Sequence, residues 1–256
     1  MPPSARLPGG RTVALEPDAV RTGSLVLTID GSEQSLIDPS DPGALDLEYT
    51  ARLGAVVDAL APPGLAVRVL HLGAGALSLV RYTQWTRPGS EQTVVDPEEG
   101  LVDFVLEHAP LPPGTRLRVV TADAAAELPP GAVDLVVLDA YDGDEVPEAF
   151  FGAAALSRIA DRVGEGLLAV NVADDADHRR LERLRAVVAA SLPVTEAIGA
   201  ESFVRGRSAG NAILLASRGA VAAEVGVHLL AAGPHPVAAA AQRHVVPVEV
   251  AVEVDP

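Results

Sequence analysis

From Val67 onward, short apolar runs alternate with segments of helical spacing, and this alternation constrains the fold more than any other feature of the chain. "VRVLHL", "QTVVD", "RLRVVTAD", "AVDLVVLD" and "GLLAVNVAD" read as strands. Between them, residues 76–85, 98–108, 153–163 and 177–191 repeat apolar side chains at helical intervals. Strands that are apolar at nearly every position need cover on both faces, so the pattern predicts an α/β fold, a doubly wound and mainly parallel sheet with helices on either side. The last two runs, "VTEAIGAESFV" and "NAILLAS", flank the turn-rich "RGRSAG" and predict an antiparallel hairpin at one sheet edge. Upstream, "TVALEP" and "GSLVLTIDG" predict a small N-terminal β hairpin. A helix is expected over residues 45–60, stopped by "APPG". The expected organisation is an N-terminal β region at 1–44, a main domain at 45–218 and a C-terminal extension at 219–256 containing a helix and an extended segment.

In open α/β sheets, ligands bind beyond the carboxyl ends of the strands, where strand order reverses. Successive strand ends here carry Gly73 and Gly75, then Asp96, then Asp123, then Asp139 and Asp142. Any one of these acids has a plain structural use, since Asp after a strand often caps a helix or closes a turn. Four consecutive strand ends bearing either a glycine turn or an acid point to a ligand. "HLGAG" lets the backbone approach it closely, but a dinucleotide fingerprint would want a third glycine where Ser78 stands, which disfavours NAD. Asp96 is positioned in the sequence to accept both hydroxyls of a ribose. Asp123 can accept from the exocyclic amine of an adenine, and the combination points to an adenosyl-sulfonium ligand.

The stretch "VVLDAYDGDEVPEAF" sets Asp139, Asp142, Asp144 and Glu145 at one place, although crowded carboxylates repel one another. Such a cluster suits a cationic ligand. The net charge of −16 agrees, because it disfavours nucleic acid and favours small cationic partners. All the basic side chains are Arg, which excludes a Lys Schiff base or a P-loop lysine. The absence of Cys excludes disulfides and thiolate metal sites, and the histidines lack metal-ligand spacing, so no metal is expected. His71, inside a strand, reads as a core residue. Charged residues and prolines interrupt every apolar run short of a membrane span, and "MPPSARLPGG" has no apolar signal region, so a cytoplasmic protein is expected.

These motifs, in this order over residues 25–218, resemble those of the spermidine synthases, or polyamine aminopropyltransferases, which have the class I methyltransferase fold. "LVLTIDGSEQ" is similar to the family's N-terminal strand, "LGAG" to its glycine motif, "QTVVDP" to its ribose-binding segment and "TADA" to its adenine contact. "DAYDGDEVP" resembles the family's Asp-x-x-Asp catalytic loop, and "VRGRSAGNAILLAS" its closing hairpin. The resemblance implies that Gln34, Gly73, Gly75, Asp96, Asp123 and Ala124 bind the nucleoside of decarboxylated S-adenosylmethionine or S-adenosylmethionine. It implies that Asp139 deprotonates or orients the attacking amine, such as putrescine, that Asp142 holds the far end of a diamine, and that Tyr49 joins them. A homodimer is also implied.

The departures from the family pattern bear on the group transferred. Thr50 and Ala51 follow Tyr49 where the family has His and Glu, and Ala76 stands where an acid would bind the aminopropyl ammonium. An S-adenosylmethionine-dependent methyltransferase, or a paralogue that binds nucleoside without turnover, therefore stands beside aminopropyl transfer.

Overall fold

A computed structural model describes residues 1–141, 146–232 and 249–250; for residues 230–232 and 249–250 it describes the backbone alone. Asp142, Asp144 and Glu145 lie outside the described residues. The chain opens with an antiparallel meander of β1 (Ser4–Arg6), β2 (Thr12–Pro17), β3 (Leu25–Ile29) and β4 (Ser32–Ile37). The expected hairpin is its central pair, β2 with β3. Asp30 and Gly31 join β3 to β4 with φ of 50° and 83°, the paired positive values of a hairpin turn whose twist matches its strands. Period-2 alternation turns Val13, Leu15, Leu27 and Ile29 inward, where they pack with Leu77, Val80, Leu101 and Phe104 of the main domain.

The main domain runs α1 (Glu48–Leu60), β5 (Arg68–Leu72), α2 (Ser78–Thr86), β6 (Glu91–Asp96), α3 (Leu101–His108), β7 (Arg116–Thr121) and β8 (Leu135–Leu138). After a 3-10 turn at Glu148–Phe151 come α4 (Ala153–Val163), β9 (Leu167–Asp174), α5 (Arg179–Ala189), β10 (Val194–Gly199), α6 (Glu201–Val204), β11 (Gly210–Ser217), α7 (Val221–Ala232) and β12 (Glu249–Val250). The sheet order is β12-β10-β11-β9-β8-β5-β6-β7, parallel from β9 to β7 and antiparallel beyond β9. Successive side chains of β5 point to opposite faces. Leu70 and Leu72 join α4 and α5 residues in one core, whereas Val69 joins α1 and α7 residues in the other.

One expectation needs correction. Residues 201–204, read as the end of a strand, form α6. The reason is local: a Cβ on Gly199 would come within 3.1 Å of the Phe203 ring, so the chain turns there and buries Phe203, and Val204 N–H donates to Ala200 O at 2.9 Å. The β10–β11 hairpin forms as expected at the antiparallel end of the sheet, with the two-residue β12 beside β10. One buried side chain closes α1, which ends without a helix-terminating glycine next to it. Arg87, 1% exposed, donates to the carbonyls of Val57, Asp58, Ala61, Pro62 and Leu65, satisfying acceptors that the helix end and following loop leave open. Among the described residues no helix is long and apolar enough to cross a membrane.

Candidate active site

β5 has β6 on one side and β8 on the other, so the chain leaves the carboxyl ends of these central strands in opposite directions. A cleft of about 760 Å³ opens there, with the N-terminal sheet supplying part of its wall. Gln34, Tyr49, Gly73, Gly75, Asp96, Asp123, Ala124 and Asp139 all line it. Asp142 lies outside the described residues.

The glycine turn and the acidic loop fit against each other. Gly73 has φ of 103°, and a Cβ built on it would lie 2.4 Å from the Asp139 carbonyl oxygen. Asp139 N–H in turn donates to Leu72 O at 3.0 Å, so the ends of β5 and β8 hold one another. Gly75, with φ of 47°, passes Ser35 of β4. Ser78, at the position where a third glycine would serve a dinucleotide, meets the Ser35 hydroxyl at 3.0 Å and fastens the N-terminal sheet to α2. Ala76 is fully buried among Leu7, Leu15 and Leu101 and does not line the cleft. A carboxylate at 76 would enter that apolar cluster unpaired.

At the end of β6, Asp96 Oδ2 accepts from Ala74 N–H at 2.8 Å and Oδ1 from Glu98 N–H at 2.9 Å. These bonds fix the carboxylate and leave each oxygen a further lone pair, the requirement for a vicinal diol. Burial raises its pKa above the usual carboxylate value, against the lowering by its two backbone donors and Arg11. Asp123 Oδ1 accepts from Ala125 N–H at 2.9 Å, so its turn-forming use is real. Its Oδ2 has no protein donor among the described residues. Ala124 is buried in the adjacent wall.

On the opposite side, Asp139 Oδ1 accepts from Asn171 Nδ2 at 2.9 Å. A carboxylate can only accept, so Asn171 Nδ2 faces it, and Asn171 Oδ1 is left to accept from Asn211 Nδ2 at 3.0 Å. Tyr141 accepts from Ala173 N–H at 3.0 Å and donates to Asn171 O at 3.1 Å, bracing the same strand. Burial pushes the Asp139 carboxyl up to about 6, with the Asn171 bond opposing it. Burial, then the charge of Asp139, raises the Tyr49 hydroxyl well above its usual value, so it stays protonated beside that carboxylate. Asn171, Asn211 and Tyr141 join the site only through contacts made in the folded chain. The signal for Asn171 was present, as a lone amide in the apolar run "LLAVNVAD". Asn171→Ala should move the acid limb of the kcat/KM profile upward by about one to two pH units, since a hydrogen bond to a charged group contributes roughly 1.5 to 3 kcal/mol. An unmoved limb would show that this bond does not tune the titrating group.

The sheet order and strand-end cleft define a class I methyltransferase-like α/β fold with an appended N-terminal β sheet. No protein-family model matches the chain, and no curated protein matches it. Among solved structures it is similar to a probable spermidine synthase from Corynebacterium glutamicum, with TM-score 0.76 and 23% identity over 90% of this chain and 87% of that one. A spermidine synthase in complex with the transition-state analogue AdoDATO gives TM-score 0.60 and 15% identity over 86% and 73% of the two chains. Human methyltransferase-like protein 13 in complex with SAH gives 0.53 and 16% over 70% and 90%. The chain has the fold that spermidine synthases share with S-adenosylmethionine-dependent methyltransferases.

Proposed function

We propose that this protein is an aminopropyltransferase: its cleft takes decarboxylated S-adenosylmethionine, and Asp139 draws the proton from an amine that attacks the donor. The observation that carries this is Asp139 itself, held by Asn171 with Oδ2 left without a protein partner among the described residues, in the same cleft as Asp96 and Asp123. Asp96 takes the ribose hydroxyls and Asp123 the adenine amine, with Gln34, Gly73, Gly75 and Ala124 shaping the nucleoside wall. The amine, with a pKa of roughly 10, arrives as an ammonium ion attracted by the carboxylate. Its proton passes to Asp139, the freed nitrogen attacks the carbon beside the sulfonium, and the C–S bond breaks with both electrons going to sulfur. Methylthioadenosine leaves. Tyr49 donates from the wall, and Asp142, assigned from sequence alone, takes the remote ammonium of a diamine such as putrescine.

Methyl transfer from S-adenosylmethionine is the second reading. Buried Ala76 favours it, because that position offers no acid to an aminopropyl ammonium. Incubation with decarboxylated S-adenosylmethionine and putrescine should release methylthioadenosine; release of S-adenosylhomocysteine from the intact donor, with no product from the decarboxylated one, favours the methyltransferase. Binding is testable separately. Asp96→Ala should lose charge-assisted bonds of roughly 1.5 to 3 kcal/mol, at least a tenfold loss of methylthioadenosine affinity by calorimetry. Unchanged affinity would remove the ribose assignment.

A further inference from the structure

The cleft wall contains one imidazole for which the proposed mechanism has no use. His71, near the carboxyl end of β5, is 4% exposed and lines the cleft. Its cross-strand neighbours are Val94 and Val137. Gln92 fixes its state. The Gln92 amide donates through Nε2 to Val80 O at 3.1 Å, so Oε1 is the atom 3.0 Å from His71 Nε2. An amide oxygen can only accept, so Nε2 carries the ring proton and Nδ1 holds a lone pair. Burial pushes the imidazole down to about 4, against the raising effect of Gln92, so the ring is neutral near pH 7. Nδ1 has no protein partner among the described residues. Burial thus keeps the ring uncharged, and a relay of two hydrogen bonds leaves Nδ1 as the acceptor in a stretch of wall that also includes Leu53, Leu79 and Val137.

We infer that His71 is a specificity residue whose Nδ1 accepts a hydrogen bond from the ammonium group on the donor's side arm, in place of the carboxylate absent at Ala76. It rests on the adenosyl binding proposed above. An acceptor in apolar surroundings gains most from a strong donor, and an ammonium provides three N–H groups. A cationic imidazole would repel the sulfonium; burial keeps the ring neutral, and the Gln92 relay has a purpose beyond packing because it fixes the tautomer and orientation. His71 is then a binding residue, and Gln92 a positioning residue acting through it.

The test is calorimetric titration of wild type, His71→Asn and His71→Gln with methylthioadenosine, which has no ammonium, and with S-adenosylmethionine and its decarboxylated form, which have one. Asn presents its amide oxygen near the place of Nδ1, whereas Gln reaches toward the place of Nε2. His71→Gln should weaken both ammonium-bearing ligands about tenfold while leaving methylthioadenosine within twofold of wild type, and His71→Asn should restore most of the loss. Equal weakening of all three ligands, Gln rescuing as well as Asn, or a wild type that gains nothing from the ammonium would each overturn the inference. Failure of wild type to bind methylthioadenosine would instead sink the adenosyl reading, and this inference with it. Both variants are polar and close in size to histidine, and their melting temperatures provide the check on folding.

Discussion

Asp139→Asn is expected to lower transfer by about 10² to 10⁴-fold and, at the same time, to stabilise the folded protein at neutral pH. The rate falls because an amide cannot take the ammonium proton, although Asn can still accept the bond from Asn171. The stability rises because the cleft holds the carboxylate at about 6, above the ordinary value of 3.8. A raised pKa means that the folded state binds the proton more tightly than the unfolded chain. Its stabilising effect is complete below 3.8 and is lost as pH rises through about 6. Charged Asp139 therefore costs about 1 to 3 kcal/mol near pH 7.5, allowing for the solvent that reaches it through the cleft.

His71 has the opposite sign. Its folded pKa of about 4 lies below 6.5, so its contribution is complete above 6.5 and is lost as pH falls toward about 4. The two groups offset each other across that window, and removing Asp139 should expose the loss due to His71. Denaturant midpoints at pH 7.5, 5.5 and 4 measure this: the variant should lead wild type at pH 7.5 and lose that lead by pH 4. A variant less stable than wild type at pH 7.5 would make the carboxylate a structural element.

Gly73→Ala should be the most damaging small substitution in the cleft. A φ of 103° lies outside the left-handed region open to other residues, and the new Cβ would sit 2.4 Å from Asp139 O and 2.9 Å from Asp139 C. These are backbone atoms and cannot rotate away. Strain of about 1 to 3 kcal/mol adds to overpacking of similar size, so a melting temperature lower by about 10 °C is expected. Any relief must move Asp139, so nucleoside binding and turnover should fall together. Gly131→Ala is the control, because Gly131 has φ of 104° with nothing within 4 Å of its Cβ position. If the two variants melt alike, the close contact between the β5 and β8 ends contributes nothing.

The legible part of this fold was the part carried by periodicity. Val69, Val94 and Val137 are buried in strands whose continuous apolar runs required cover on both faces, and residues 153–163 form a helix with the expected bounds. Periodicity misleads where a tertiary contact overrides local preference. "SFV" is β-prone, yet Phe203 packs over Gly199 and the segment is helical. β4 is not legible because "SEQSLI" lacks alternation, although the Asp30-Gly31 turn before it marks a hairpin. In the site, strand-end acids and glycines stood out because chemistry and position coincide in sequence. Asn171 and Asn211 did not, since each matters only through its neighbour, and the chain of bonds Asn211–Asn171–Asp139 links three separate strands or strand ends. Ala76 shows the reverse case. Its departure from the family pattern was visible, but its burial beneath the N-terminal sheet required the structure.

The most direct measurement is the mass of the acceptor. Putrescine is incubated with wild type or Asp139→Asn and either donor, and the product is read by mass spectrometry. The account predicts addition of an aminopropyl group from decarboxylated S-adenosylmethionine by wild type, and a rate of that addition lower by about 10² to 10⁴-fold with Asp139→Asn. A methylated amine formed from S-adenosylmethionine, with no aminopropyl product from the decarboxylated donor, would contradict it.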